Sequence, residues 1–337
     1  MYNLSVNIMS NSKEIYVMGL SGAKKITESI CKNLNVKPIK TFSSRFADGE
    51  IMVRPEQPVR NRAITVVQSL SKPVNEKIME LLIAIDSLKR ASAKAINVII
   101  PYYAYARQDR KTIGREPITS KLLASLLEKT GATRVAIVDV HSEQAQGFFE
   151  VPVDTLRATM LLIKEATKKI NLNNLTVVSP DYGGVKRARK IAMALNVPLA
   201  ILDKRRPEPN KAEILNVLGD IKGRDCLIAD DMIDTAGTIV AACKVLKSKG
   251  AKTINIIATH GILSGPAIER LTDAVNTKII SNIYLSNSIE SVYDCGIPNL
   301  HVVDLGQYLA KVIEVYYSEN GSISKIYNLY EPSKPKK

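Results

Sequence analysis

Tryptophan is absent from this 337-residue chain, and phenylalanine and tyrosine bring the aromatic share to only 5%. A groove that grips single-stranded nucleic acid needs basic groups interleaved with stacking rings, so that class of partner is not expected. Cysteine is scarce too: Cys31, Cys226, Cys243 and Cys295 stand far apart with no CxxC pair. Their spacing offers neither a zinc knuckle nor a disulfide framework, and a reducing cytoplasm suits them. The longest apolar runs, Ile96 to Pro101 and Ile254 to Ala258, fall far short of the ~20 residues that cross a bilayer. Residues 1–12 lack a basic start and a continuous apolar stretch, so they read as a loose extension and not as a secretion signal. Neither GxxxxGK[ST] nor GxGxxG occurs, which removes support for a P-loop ATPase and for a dinucleotide-binding domain.

What the chain does have is positive charge, with 47 Lys and Arg against 33 Asp and Glu and a net +14. Such a field draws nucleic acid, anionic lipid and phosphorylated small molecules alike. The basic residues come in short groups, Arg107 to Lys111, Lys186 to Lys190, Lys204 to Arg206 and the tail Lys334 to Lys337, apart from aromatics. Small polyanions are therefore better partners than nucleic acid or a membrane. The length suits two domains of roughly 150 residues each.

Short β-branched runs alternate with helical patterns, the sign of βαβ units and parallel sheets with helices on their faces. A first set predicts strands at Ile15–Met18, Ile64–Gln68, Ile96–Pro101 and Val135–Asp139, with helices near Ala23–Leu34, Asn75–Ala91 and Ser120–Lys129. A second predicts strands at Thr176–Ser179, Leu199–Asp203, Cys226–Ala229, Ile254–Ala258, Ile283–Leu285 and Val302–Val303. Its helices lie near Gly184–Leu195, Gly237–Lys249 and Gln307–Tyr317. The expected fold is α/β, with two similar domains, each a mostly parallel sheet flanked by helices. A boundary near Pro152 gives an extension (1–12), an N-terminal domain (13–155), a C-terminal domain (156–320) and a tail (321–337).

The segment Cys226-Leu-Ile-Ala-Asp-Asp-Met-Ile-Asp-Thr-Ala-Gly-Thr238 carries the most chemistry. An apolar strand ends in Asp230 and Asp231, and a small polar turn then opens a helix. Free N–H groups at a helix start, with a dipole equivalent to about +0.5 charge, stabilise a phosphate, and Gly237 lets the backbone approach it. Thr235 and Thr238 add hydroxyl donors. Paired carboxylates at a strand's carboxyl end suit the hydroxyls of a vicinal diol such as ribose. The plainer alternative makes Asp234 and Thr235 helix caps and Asp230 and Asp231 solvated loop residues.

This segment resembles the ribose-phosphate-binding loop of the type I phosphoribosyltransferases and of their relatives, the ribose-phosphate pyrophosphokinases. Further segments look like pyrophosphokinase motifs in the same order: Phe46-Ala-Asp-Gly-Glu50, Tyr105-Ala-Arg-Gln-Asp-Arg-Lys111, Arg115-Glu-Pro-Ile118, Asp139-Val-His141 with Gln146-Gly-Phe-Phe149, Ser179-Pro-Asp-Tyr-Gly-Gly184 and Asp203-Lys-Arg-Arg-Pro207. The resemblance covers roughly residues 13 to 320 and implies a type I phosphoribosyltransferase-like fold. It implies an ATP side in the N-terminal domain, with Phe46, Asp48, Gly49 and Glu50 at the adenine end and Arg107 and Gln108 completing it. It implies a ribose 5-phosphate side in the C-terminal domain, made by Arg206, Asp230, Asp231, Asp234, Thr235, Ala236, Gly237 and Thr238. His141 and Asp181 become magnesium-site residues, and Lys204 and Arg206 the catalytic cations of a loop that closes over the substrates.

Residue chemistry agrees with these roles. An aromatic face stacks on a base, and Arg pairs with phosphate. Mg²⁺ prefers oxygen ligands and keeps waters, so Asp181 suits it; His141 reads either as a ligand or as a donor to ATP phosphate. Pro207 and Pro209 argue for an exposed loop around Lys204, Arg205 and Arg206. The implied reaction moves the β,γ-pyrophosphoryl group of Mg-ATP to the anomeric hydroxyl of ribose 5-phosphate, giving phosphoribosyl pyrophosphate and AMP for nucleotide biosynthesis. A phosphoribosyltransferase and a non-catalytic regulatory homologue are the rival readings. The family also implies a homohexamer. The stretch from Met52 to Arg62 departs from the family pattern, so allosteric control by phosphate or nucleoside diphosphate is not carried over.

Overall fold

Buried β-branched runs form two separate sheets, and the amphipathic segments between them become helices that cover the sheets. A computed structural model describes residues 14–205 and 214–330. The first half runs β1 (Tyr16–Gly19), α1 (Lys24–Leu34), β2 (Thr41–Arg45), β3 (Ile51–Pro55), β4 (Ala63–Val67), α2 (Val74–Arg90), β5 (Ala95–Ile100), α3 (Thr119–Thr130), β6 (Arg134–Val138) and β7 (Val153–Leu156). The second runs α4 (Thr159–Ala166), β8 (Leu175–Ser179), α5 (Val185–Leu195), β9 (Leu199–Arg205), β10 (Ile214–Leu218), β11 (Asp225–Ile233), α6 (Gly237–Ser248), β12 (Thr253–Gly261), α7 (Ala267–Asn276), β13 (Asn282–Ser286), β14 (Leu300–Val303), α8 (Gly306–Tyr317) and α9 (Ile323–Tyr330).

The first sheet has the order β1-β4-β5-β6-β7, parallel throughout. The second has the order β10-β9-β8-β11-β12-β13-β14, and only β10 is antiparallel to its neighbour. Strands such as β5, buried from Ile96 to Ile100, pack on both faces, which is why they read as continuous apolar runs. Helix α2 buries Leu81, Ala84, Ile85 and Leu88, one stripe at helical spacing. Between the sheets lies a shared core in which Ile26 and Ile30 of α1 meet Leu162 of α4, Ile191 of α5 and Leu309 and Ile313 of α8. That core also takes Val67 and Val138 from one sheet and Leu227 and Ile257 from the other, so the two halves are packed together by one apolar layer.

Several elements differ from the sequence expectation. Strands β2 and β3 form an antiparallel hairpin that belongs to neither sheet. Strand β9 continues through Lys204 and Arg205, whose backbones pair with Leu215 and Ile214 of β10, so these two residues lie on a strand and not in a loop. The antiparallel partner β10 supplies the ladder that the prolines further on gave no sign of. Strand β11 runs on to Ile233 instead of stopping at Ala229, because β12 is equally long and pairs with it to Ile233↔Gly261. Residues read as a tail include α9.

Candidate active site

The extra length of β11 and β12 builds the site. Strand β8 leaves β11 after Ile228, and β13 leaves β12 after Ala258, so Asp230–Ile233 pairs with Ala258–Gly261 as a two-stranded extension. Asp231, on that extension, accepts a hydrogen bond from His141 Nδ1 at 2.6 Å, and His141 follows β6 of the other sheet. Arg187, in the first turn of α5, reaches Asp230 Oδ1 at 2.9 Å and Asp231 Oδ1 at 3.2 Å. The Asp231 hydrogen bond, opposed by burial, holds the His141 imidazole above its ordinary pKa. Burial pushes the Asp231 carboxyl upward, but His141 and Arg187 more than offset it and keep the carboxyl low and charged. Burial, with the adjacent Asp231 carboxylate, pushes Asp230 upward.

Asp139 fixes where His141 stands. Its Oδ2 accepts from Ala158 N (3.1 Å), Thr159 Oγ1 (3.1 Å) and Thr259 Oγ1 (2.6 Å), tying the end of β6 to α4 and β12. The neighbouring His260 is 2% exposed; its Nε2 donates to the Asp139 carbonyl at 3.2 Å and its Nδ1 faces Ser288 Oγ at 2.9 Å. Burial holds His260 below its ordinary pKa, so it is neutral.

The turn after β11 leads straight into α6. Ala236, at the start of α6, takes a left-handed conformation (φ 60°, ψ 0°), and no side chain caps the first N–H groups of the helix. Thr235 and Thr238 are exposed beside it. Asp234 pairs with Arg107 Nη1 at 2.9 Å, which brings an expected ATP-side residue onto the expected ribose-phosphate loop. Burial raises the Asp234 carboxyl, yet the Ser264 and Arg107 hydrogen bonds win and leave its pKa low. Two clefts flank this pair. One, of about 450 Å³, is lined by Asn75, Glu76, Tyr105, Arg107, Gln108 and Met232. The other, of about 470 Å³, is lined by Ser21, Lys72, Lys77, Arg107, Asp234 and Ser264.

Phe46, Asp48, Gly49 and Glu50 form the tip of the β2–β3 hairpin and line neither cleft. The tip turns at Gly49 (φ 97°), Asp48 Oδ1 accepts from Glu50 N at 3.0 Å, and Phe46 is 52% exposed. Arg45 pairs with Glu76 and ties the hairpin to the start of α2. Asp181 follows β8 and accepts from Gly184 N at 2.8 Å through Oδ1. Arg206 lies outside the described residues, and Lys204 stands on β9 opposite Leu215. Sequence reasoning missed Arg187, Asp139 and His260 as site-building residues. The one signal for Arg187 is its place in the first turn of a helix whose preceding strand, β8, pairs with β11.

Residues 15–131 match the profile of the N-terminal domain of ribose phosphate pyrophosphokinase, and residues 153–295 match the phosphoribosyl transferase domain. The ribose-phosphate pyrophosphokinase of Mycoplasma genitalium is 49% identical over 317 residues, 94% of this chain and 95% of that one. The chain belongs to the ribose-phosphate pyrophosphokinase family. The Corynebacterium ammoniagenes member is 45% identical over 94% of this chain and 98% of its own. The crystal structure of phosphoribosylpyrophosphate synthetase from Mycobacterium smegmatis superposes with a TM-score of 0.84 at 40% identity, covering 90% of this chain and 99% of that one. Membership makes the chain a transferase of nucleotide biosynthesis that forms phosphoribosyl pyrophosphate, in a fold of the type I phosphoribosyltransferase kind. Among the described residues no helix is long and apolar enough to cross a membrane.

Proposed function

We propose that the cleft at the meeting of the two sheets binds Mg-ATP and ribose 5-phosphate and transfers the β,γ-pyrophosphoryl group in line to the anomeric hydroxyl. The O1–Pβ bond forms as the bond from Pβ to the α,β-bridging oxygen breaks, and AMP leaves. The observation that carries the reading is the convergence of Arg107 with Asp234 and of His141 with Asp231, four residues from two sheets. In this reading the turn from Asp234 to Thr238 takes the 5-phosphate on the free N–H groups of α6, and Asp230 and Asp231 serve the ribose hydroxyls. Arg107 and Gln108 line the nucleotide cleft. Phe46, Asp48 and Glu50 receive adenine; because their tip stands clear of its own chain's clefts, a homo-oligomer makes it available to a second copy.

Magnesium fits this donor set as a shared ion. His141 gives Nδ1–H to Asp231 and keeps Nε2 without a partner among the described residues, a carboxylate–histidine arrangement common at metal sites. No three His, Cys, Asp or Glu side chains among the described residues converge on a metal position, so most of its ligands would be phosphate oxygens and water. His141 and Asp181 would hold it from the protein side. Bound there, it would neutralise phosphate oxygens and make the β-phosphorus a better electrophile. The transition state is loose, so aligned substrates and cationic side chains carry most of the rate, and Lys204 and Arg206 serve as those cations.

The rival readings are weaker. A phosphoribosyltransferase has no use for the pyrophosphokinase N-terminal domain matched over residues 15–131, and a regulatory homologue has no need of the intact set Lys204, Arg206, His141 and Asp230. The test is a mass-resolved assay with Mg-ATP and ribose 5-phosphate that follows AMP and phosphoribosyl pyrophosphate together. Equal formation of both is expected. The Lys204→Ala variant should lower kcat by about 10²–10³ with a smaller change in KM, the scale of one transition-state donor. ADP in place of AMP would mean single-phosphoryl transfer and sink the proposal.

A further inference from the structure

The two adjacent carboxylates of β11 are not equivalent, and the residue that makes them unequal has no part in the reading above. Asp231 Oδ2 accepts from His141 at 2.6 Å and its Oδ1 takes Arg187 Nη2 at 3.2 Å, so both of its oxygens are engaged inside the protein. Asp230 Oδ1 accepts from Arg187 Nη1 at 2.9 Å and from the Asp231 N–H at 2.8 Å. The Asp230 side chain is 28% exposed against 6% for Asp231. Of the pair, Asp230 is therefore the carboxylate more open to a ligand.

Arg187 produces this division. Its guanidinium is planar with donors in a fixed fork, so one side chain spanning two carboxylates sets their mutual orientation as well as offsetting their repulsion. An ammonium is a point charge on a flexible stem and can do only the second. Arg187 is itself held in place, because it lies in the first turn of α5, which starts at the carboxyl end of β8 beside β11.

We propose that Arg187 is a positioning residue for ribose 5-phosphate: its fork fixes the mutual orientation of Asp230 and Asp231, aiming the more open Asp230 at a hydroxyl of the sugar's vicinal diol while Asp231 also orients His141. This rests on the reaction proposed above and gives Arg187 a task in it. Initial rates on the full chain, with AMP and phosphoribosyl pyrophosphate both measured and each substrate varied in turn, test it in Arg187→Gln and Arg187→Lys. In the Gln variant the KM for ribose 5-phosphate should rise about 10-fold or more, the scale of a lost charged hydrogen bond, while the KM for ATP stays within about 2-fold. The Lys variant should recover only part of that rise. If the Gln variant does not fold, the Lys variant shows the same split between the two KM values on a smaller scale. Unchanged ribose 5-phosphate KM in folded variants, a parallel rise in both KM values, or full recovery by Lys would overturn the role of Arg187 while leaving the reaction standing. A wild-type chain that releases no AMP would overturn the reaction, and this inference with it.

Discussion

Asp139 closes the end of β6 in a left-handed conformation (φ 37°), and its Oδ2 takes three hydrogen bonds from two segments of the chain. An ionised acceptor makes such bonds shorter and stronger than a neutral one, and losing it leaves buried donors unpaired. Asp139→Ala should therefore destabilise the protein by roughly 2–4 kcal/mol in denaturant titrations, several such bonds counted with partial compensation by water. Asp139→Asn, which retains an acceptor oxygen, should lose less. Equal stability of Asp139→Ala and wild type would show that the clasp contributes nothing. Residues of this kind explain what sequence reasoning could see. Asp230 and Asp231 stood out because paired carboxylates at a strand end suit a diol, and His141 was singled out only through the family resemblance. Asp139, Arg187 and His260 act on other protein groups, and only the contacts made by folding show what they do.

Elements were legible where a strand or helix is buried by its own periodicity. The parallel strands β4, β5, β8, β12 and β13 and the helices α1, α2, α5, α6 and α8 were all expected within a few residues. Several that escaped depend on a partner: the β2–β3 hairpin, the antiparallel strand β10 and the long ends of β11 and β12 exist because a neighbour pairs with them, while β7, α4 and α7 were missed as well. Tyrosines fasten the C-terminal helices α8 and α9 to the first half. Tyr316 donates to Asp154 Oδ2 at 2.9 Å, Tyr317 to the Ala63 carbonyl at 2.8 Å, and Tyr327 to the Thr155 carbonyl at 2.6 Å. Tyr317→Phe keeps the ring and removes a hydroxyl that also reaches the Tyr16 carbonyl at 3.3 Å and Thr65 Oγ1 at 3.4 Å, so it should cost about 1–2 kcal/mol of unfolding free energy and leave both KM values alone, because Tyr317 lines neither cleft. A change in either KM with unaltered stability would show that the α8 clasp acts on the site and not on the fold.

For the molecule as a whole, the halves are held together by the shared apolar layer and, near the site, by a buried polar cluster centred on His260. Stability should then depend on pH through that histidine. Burial lowers its folded-state pKa below the unfolded value of about 6.5. As pH falls through that unfolded value the unfolded chain binds a proton that the folded chain refuses, so stability present above it is lost on acidification, by up to about 1.4 kcal/mol per pH unit. His141 works in the opposite sense, since its folded pKa is raised and its pairing stabilises the protonated form below the unfolded pKa. Wild type alone therefore reports a sum, and the contribution of His260 must be read as a difference. Unfolding free energies from denaturant titrations at pH 7.5, 6.5 and 5.5, compared between wild type and His260→Gln, isolate it. The wild type should lose more stability than the variant between pH 6.5 and 5.5, by at most about 1 kcal/mol. Because His260 joins β12 to β6 through the Asp139 carbonyl, the loss should appear first as weakened docking of the two halves. Hydrogen exchange would register it as earlier opening at Asp139 and Thr259 than in the outer helices α2 and α7. Parallel pH profiles in the two proteins would mean that His260 takes up its proton without penalty and that the joint between the sheets is insensitive to acid.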